Sequence, residues 1–154
     1  MRQIKDLPKE FGMSKFLVVL GLSLAAFANA SEVTGSYYTP FIQVVGSTEY
    51  YPENLRVFNA DGTYEIYTIH DSGRDILKGT YTIEGDTITV FKGNFVVGCP
   101  GTVDINDSPM VSTARFSRSS AALSIDFGGE VQTLPIATPE QVKKVMSVPA
   151  CGDR

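Results

Sequence analysis

The sequence predicts an all-β domain, most simply an up-and-down antiparallel barrel of about 8–10 strands with one short C-terminal helix. Three observations predict this fold class. Apolar and polar side chains alternate with a period of two along most of residues 33–136, which is the pattern of half-buried antiparallel strands rather than of buried parallel ones. Turn residues separate these stretches at intervals of roughly one strand. The connections are of hairpin length, so the strands are expected to form a meander.

The clearest alternation lies late in the predicted domain. Within residues 121–127, Leu123 and Ile125 share one face of the strand, and Ser124 and Asp126 share the other. Turn-forming residues stand between the strands at residues 59–62, 71–73, 84–86, 92–94 and 128–129. Because a meander of this many strands removes its exposed edges by closing on itself, we expect a barrel, with a β-sandwich of two sheets as the alternative.

One helix is predicted over residues 139–147. Thr138 suits the N-cap, Pro139 the first helical position and Gln141 the third, which together make a capping box. Apolar residues then recur at helical spacing and predict a face that packs on the barrel wall. A short tail, residues 148–154, follows the helix.

The N-terminus has the organisation of a secretory signal peptide. A charged segment ends at Lys15, an uncharged apolar run occupies residues 16–27, and small residues stand at Ala28 and Ala30. This order predicts a signal peptide over residues 1–30 that is cleaved after Ala30. The apolar run is too short to cross about 30 Å of hydrocarbon as a helix. The protein is therefore expected to be secreted or periplasmic, with no membrane span in the mature chain.

Translation from Met13 would give a signal peptide of more usual length. In either case, cleavage would leave residues 31–154 as one domain. Residues 31–154 carry nine basic and 15 acidic side chains, a net charge of −6. Such a domain, with no basic cluster, is a poor candidate for binding nucleic acid or anionic membrane surfaces. One His and two Cys leave little material for a classical zinc site, so neither a metal nor a cofactor is expected.

The two cysteines are expected to form a disulfide. An even number of cysteines in an exported protein favours pairing, and Cys99 and Cys151 allow only one intramolecular bridge. The bridge would tie the C-terminal tail to the middle of the sheet.

Several segments resemble the small secreted or periplasmic bacterial lipocalin-like (calycin) proteins. Residues 33–37 look like the Gly-x-Trp opening strand of that superfamily, with Tyr37 in the place of Trp. Residues 58–64 followed by 79–90 are similar to its F-x-x-D-G-T-Y … G-x-Y-x-I-x-G-D-x-I-T-V block. The resemblance covers most of residues 33–146. It implies a barrel that holds a small ligand, and a disulfide from a barrel strand to the tail is also usual in lipocalins.

Tyrosines supply the candidate binding residues. The first strands are rich in aromatic side chains, at Tyr37, Tyr38, Phe41, Tyr50 and Tyr51. Neighbouring residues of a strand point to opposite faces, so each tyrosine pair is expected to send one ring inward and one outward. The inward rings that we take as candidate ligand-binding residues are Tyr37, Tyr50, Tyr64 and Tyr81. The outward rings that we take as a candidate partner patch are Tyr38 and Tyr51.

No catalytic set emerges from the remaining motifs. His70 beside Asp71 is interpreted as an exposed turn residue, with a pH sensor or a metal ligand as the alternative. Residues 104–108 begin like a calcium loop, but Pro109 and Arg115 stand where that loop requires Gly and Glu. The spacing of two acid pairs would suit a glycosidase, but both pairs are interpreted as turn residues: Asp71/Asp75 and Glu84/Asp86.

Two functions are therefore weighed. The first is a non-enzymatic binding protein that holds a small apolar or amphipathic ligand inside the barrel. The alternative is a protein-interaction module with a filled core, such as an inhibitor or an envelope-assembly factor. An enzyme of unusual chemistry is the least favoured hypothesis.

Overall fold

The computed structural model of the protein describes residues 32–43, 45–46, 48, 50–100 and 111–152, and only the backbone of Tyr50 and Lys92. The predicted signal peptide, its cleavage site and the 104–108 segment lie outside these residues. Within the described part of the chain, no helix is both long and apolar enough to cross a membrane.

Ten strands and one helix make up the described fold. The strands are β1 (Gly35–Thr39), β2 (Ile42–Gln43), β3 (Tyr50–Tyr51), β4 (Asn54–Phe58), β5 (Thr63–His70), β6 (Gly73–Glu84), β7 (Thr87–Val97), β8 (Val111–Arg118), β9 (Ala122–Asp126) and β10 (Val131–Pro135), and the helix is α1 (Pro139–Ser147). Eight strands form one antiparallel sheet in the order β1-β4-β5-β6-β7-β8-β9-β10. Strands β2 and β3 form a separate two-stranded ribbon between β1 and β4.

The sheet curves into a nearly closed barrel. Its first and last strands approach each other at a bridge between Tyr37 and Ile136, and the Ala137 N–H donates to the Ser36 carbonyl at 2.8 Å. The predicted up-and-down barrel is thus confirmed, and the two-sheet sandwich is not the architecture. We call the end that holds the β5–β6 turn, at Asp71, the upper end, and the end that holds the β6–β7 turn the lower end.

Aromatic rings fill the middle of the barrel. Phe58 is the centre of this group, with ring centroids 5.9 Å from Tyr37, 6.0 Å from Tyr64 and 5.2 Å from Tyr81. Aliphatic side chains complete the buried cluster, namely Val33, Ile83, Ile88, Ala114, Leu123, Ile125 and Leu134. Gly79 makes room for one ring, because a Cβ atom there would lie 2.5 Å from the Tyr64 ring.

Helix α1 packs on the outside of the barrel. Its N-terminus has the predicted capping box between Thr138 and Gln141. Val145 is fully buried against the outer faces of β1, β4 and β5, where it joins a second cluster with Tyr38, Leu55 and Tyr67. The wall of the barrel under the helix is therefore buried on both faces.

The tail after the helix returns to the upper end of the barrel. The Arg74 N–H donates to the Pro149 carbonyl at 3.0 Å, and the Cys151 N–H donates to the Arg74 carbonyl at 3.1 Å. Cys99 and Cys151 form the predicted disulfide, with Cα atoms 5.0 Å apart. The tail thus pairs with β6 beyond Val97, where β7 has ended.

Candidate binding site at the upper end of the barrel

The hydroxyl groups of the tyrosines inside the barrel donate hydrogen bonds to backbone carbonyls. The Tyr37 hydroxyl donates to the Val33 carbonyl at 2.9 Å, and the Tyr64 hydroxyl donates to the Phe91 carbonyl at 2.9 Å. The Tyr81 hydroxyl donates to a carbonyl of the β4–β5 turn at 2.7 Å. Burial is the main cause that raises the pKa of all three phenols, so they stay neutral donors at physiological pH.

Three of the four predicted ligand-binding tyrosines therefore face the interior. Tyr37, Tyr64 and Tyr81 offer a ligand their rings, whereas their hydroxyl protons are already committed to backbone carbonyls. The side chain of Tyr50, the fourth, lies outside the described residues. The tyrosines fill the barrel rather than line a described cavity. Other side chains would therefore have to form the hydrogen bonds to a polar ligand inside the barrel.

Strand β4 supplies a charged side chain to the interior. Leu55 and Val57 lie in the outer cluster under helix α1, whereas Phe58 lies in the inner cluster. Since side chains alternate along a strand, Arg56 shares the inner face with Phe58. Its partner across the β4–β5 ladder, Ile66, also packs against the inner cluster, which agrees with this orientation.

Two neutral polar residues face inward near Arg56. Asn54 precedes it by two residues on the same face of β4, about 7 Å further toward the upper end. Gln132 of β10 pairs with the buried Ile125 and accepts a hydrogen bond from Arg56 Nη1 at 3.3 Å. These three side chains are half-buried, as are the apolar Ile66 and the neighbouring Leu77. The upper part of the interior is thus more polar and less tightly covered than the aromatic centre.

Two buried polar atoms of this group lack a hydrogen-bond partner. Asn54 Oδ1 and Arg56 Nε have no exposed surface and no hydrogen bond in the described structure. The amide nitrogen of Asn54 is used locally, because it donates to the Pro52 carbonyl at 3.2 Å. A buried polar atom without a partner costs about 1–3 kcal/mol, so a bound ligand that supplied the missing partners would recover this free energy.

Among the described residues, Arg56 also has no carboxylate as a counter-ion. The ion pairs of the described residues join His70 to Asp75, Lys78 to Glu65 and Lys144 to Glu53. Burial lowers the pKa of the Arg56 guanidinium from its ordinary value, and the neighbouring Tyr64 opposes this only in part. A guanidinium keeps its charge even so, and the interior of the barrel therefore contains an unpaired cation.

The second polar cluster at the upper end is paired within the protein. Asp75 is only 2% exposed, and its carboxylate lies 2.8 Å from His70 Nε2 and accepts the Cys99 N–H. His70 is therefore a half-buried partner of Asp75 rather than the exposed turn residue expected from the sequence, and Asp75 belongs to strand β6 rather than to the turn at Asp71. A group that is charged or strongly polar must be paired when it is buried, and this pairing overrides the turn pattern of the sequence.

This cluster is poorly suited to binding a metal ion. His70, Asp75 and Cys99 bring potential ligand atoms within 4.8 Å of one another. The sulfur of Cys99 is bonded to Cys151, which leaves two ligands where protein sites use three or four. The arrangement is instead suited to holding the end of β7 and the tail against β6.

The two residues of the predicted partner patch lie in different environments. Tyr38 does point outward, but helix α1 covers it, and its hydroxyl donates to Glu53 at 2.8 Å. Tyr51 lies on the β2–β3 ribbon and is 58% exposed. Other large apolar side chains of the ribbon segment are exposed beside it, namely Phe41, Ile42 and Val45. A cleft of about 450 Å³ lies next to the ribbon and is lined by Phe41, Pro52, Glu53, Ile69, His70 and Asp71.

Glu53 links helix α1 to the barrel through an ion pair and a hydrogen bond. Its carboxylate lies 2.8 Å from Lys144 Nζ on the helix and accepts the Tyr38 hydroxyl. Burial raises the pKa of the Glu53 carboxyl, but hydrogen bonds from Lys144 and Tyr38 together outweigh burial and hold the pKa below its ordinary value of 4.5. Because the folded pKa is the lower one, the carboxylate stabilises the fold fully above about pH 4.5, and this stabilisation is lost as the pH falls through the folded pKa.

We expect Glu53→Gln to lower the free energy of unfolding by about 1 kcal/mol at pH 7, because the ion pair is lost while the shape is kept. The difference between variant and wild type should shrink as the pH falls below 4.5. Urea unfolding at pH 7 and pH 3 measures both effects. Glu130→Gln, in an exposed turn, is the matched control and should change stability by less than about 0.5 kcal/mol. Equal stability of wild type and Glu53→Gln at pH 7 would contradict the role given to Glu53.

The comparisons with known proteins add little to this geometry. No protein-family model matches the chain, and no curated protein matches it. Among solved structures, the chain is similar to an uncharacterized protein from Bacteroides eggerthii DSM 20697, with 11% sequence identity and a TM-score of 0.48. The match covers 68% of this chain and 98% of the other. The role of the upper-end residues therefore has to be inferred from their own contacts.

Sequence reasoning did not find Arg56, Asn54 and Gln132. Arg56 stands between Leu55 and Val57, and this pattern on its own places the two apolar residues inside and the arginine in solvent. In the structure the two faces are exchanged. Helix α1 covers Leu55 and Val57 on the outside of the barrel, and Arg56 faces the interior. Phe58, two residues after Arg56, was the one available signal, since residues with this spacing share a face.

Proposed function

We propose that this protein is an extracytoplasmic binding protein that holds a small amphipathic ligand in the upper part of its barrel. The observation that carries the proposal is the pair of buried, unpartnered polar atoms, Asn54 Oδ1 and Arg56 Nε, in an otherwise apolar interior. Binding sites for small molecules combine a mainly apolar lining with a few polar groups that fix orientation. The half-buried Ile66 and Leu77 supply the apolar lining next to those atoms.

The chemistry of the two atoms favours an amphipathic ligand over a purely apolar one. Arg56 Nε is a donor and Asn54 Oδ1 an acceptor, so a ligand with a polar head group would satisfy at least one of them. A hydrocarbon would leave both atoms unpaired and would bury them more deeply, which costs free energy.

Two features support the extracytoplasmic part of the proposal. The N-terminal 30 residues have the order of a secretory signal peptide. The Cys99–Cys151 disulfide is of the kind that persists in oxidising compartments. N-terminal sequencing of protein recovered from the culture medium or the periplasm should give Ser31 as the first residue, and a retained N-terminus would contradict export.

Calorimetric titration of the mature protein with decanol and with decanoate tests ligand binding. We expect saturable binding of at least one of them with one molecule per chain. Leu77→Trp, which fills the interior beside Arg56, should abolish this binding. Thr80→Trp introduces the same side chain at an exposed position of the same strand and should leave binding unchanged. If neither compound binds, or if both variants behave alike, the proposal is wrong.

The exposed ribbon favours a second candidate function, a protein-interaction module with a filled core. Tyr51 and its apolar neighbours on the ribbon present a surface of the kind that marks protein contacts. On this hypothesis Tyr51→Ser weakens saturable binding to a purified envelope protein, whereas Leu77→Trp leaves it intact. The same two variants thus separate the two functions.

A further inference from the structure

The guanidinium of Arg56 has one edge that makes no hydrogen bond in the described structure. Gln132 Oε1 accepts a hydrogen bond from Nη1, whereas Nε and Nη2 donate none in the described structure, and Nε is buried. Nε and Nη2 lie on the same edge of the planar guanidinium, and the Nε–H group is parallel to one N–H of Nη2. Parallel N–H groups at this spacing match the two oxygens of a carboxylate and bind both at once.

No group of the protein supplies that carboxylate among the described residues. At the upper end Asp75 pairs with His70 and Glu53 pairs with Lys144, and no ion pair joins Arg56 to an acid of the described residues. The environment around Arg56 is apolar on the side of Ile66 and Leu77 and neutral on the side of Gln132. In such surroundings a cation gains most from a single negative charge placed directly against it.

The net charge of the domain favours a ligand that carries only one negative charge. Residues 31–154 carry a net charge of −6, so the domain as a whole repels anions. One guanidinium offsets one negative charge, and nothing described beside it offsets a second. We propose that the ligand is an amphiphile with a single carboxylate, whose two oxygens bind Nε and Nη2 of Arg56 while its apolar part lies along Ile66 and Leu77. This inference rests on the proposed function and names the chemical class of its ligand.

Decanoate and decanol form the matched pair of probes, because they share the chain and differ in the charged group. Titration of the mature wild-type protein should show tighter binding of decanoate, by about 10- to 100-fold, the range that a charge-assisted hydrogen-bonded pair contributes. Arg56→Met should remove this preference, so that the variant binds decanoate no more tightly than decanol. Arg56→Lys should keep only part of it, because an ammonium group is a point charge without the parallel N–H pair.

The stability of the ligand-free variant separates a binding role from a structural one. An unpaired buried cation does not stabilise the empty protein, so Arg56→Met should leave the Tm unchanged or raise it. A clear fall in Tm together with an unchanged preference for decanoate would mean that Arg56 is structural, and the proposal would be wrong. Should the variant fail to fold, Arg56→Lys gives the same comparison with the charge retained.

The outcomes distinguish this inference from the proposed function. Equal affinity of the wild type for decanol and decanoate would overturn this inference but not the proposed function, because the barrel would still bind a small amphiphile. A preference for decanoate that survives in Arg56→Met also overturns it alone. Absence of binding for both probes overturns both proposals.

Discussion

Replacing Cys99 and Cys151 together with serine is expected to lower the free energy of unfolding by about 4 kcal/mol. The two residues are 52 positions apart, and a bridge that closes a loop of this length removes much of the conformational entropy of the unfolded chain. In the folded protein the bridge also holds the tail on β6, where Arg74 makes two backbone hydrogen bonds with it. Urea unfolding of the double variant and the wild type at pH 7 measures the change.

Reduction of the wild type provides the control for this experiment. Wild-type protein unfolded in the presence of a dithiol reductant should match the double serine variant, because both lack the bridge and keep the rest of the chain. A difference of less than about 1 kcal/mol between oxidised and reduced wild type would contradict the expected stabilisation. Limited proteolysis should also cut first in the tail of the reduced protein, since its remaining contacts with β6 are few.

The second large effect is expected at the centre of the barrel. Phe58→Ala should destabilise the protein by about 3–5 kcal/mol, because the removed ring contacts Tyr37, Tyr64 and Tyr81 and leaves a cavity among them. Thermal and urea unfolding measure the loss.

Two substitutions serve as controls for Phe58→Ala. Phe58→Leu keeps most of the volume and should cost less than about 2 kcal/mol. Phe127→Ala makes the same substitution at a residue that is 42% exposed and should cost less than about 1 kcal/mol. If Phe58→Ala and Phe127→Ala cost the same, Phe58 is not the centre of the core.

The sequence was sufficient to predict the barrel because most of its strands are buried on one face. In β8 to β10 the buried residues recur every second position, with Ala114, Leu123, Ile125 and Leu134 on the inner face. The helix was predictable for a similar local reason, since the capping box at Thr138 needs only residues three positions apart. The disulfide followed from the even number of cysteines together with the predicted export.

The candidate site could not be predicted because its position depends on contacts between distant parts of the chain. Arg56 faces inward since a helix more than 80 residues later covers the opposite face of β4. His70 is half-buried against Asp75, next to the point where the tail and the disulfide meet β6. In both cases tertiary packing determined which face of a strand is buried, and a local pattern of apolar residues does not contain that information.

The helix on the outside of the barrel also determines how substitutions should be distributed along the chain. Strands β8 and β10 have one face in solvent, so in a complete mutational scan they should tolerate changes at every second position. Strand β4 has Leu55 and Val57 under the helix and Arg56 and Phe58 in the interior. It has no tolerant face, and among natural variants of this protein it should be the segment that changes least, although it is neither the longest strand nor the most apolar one.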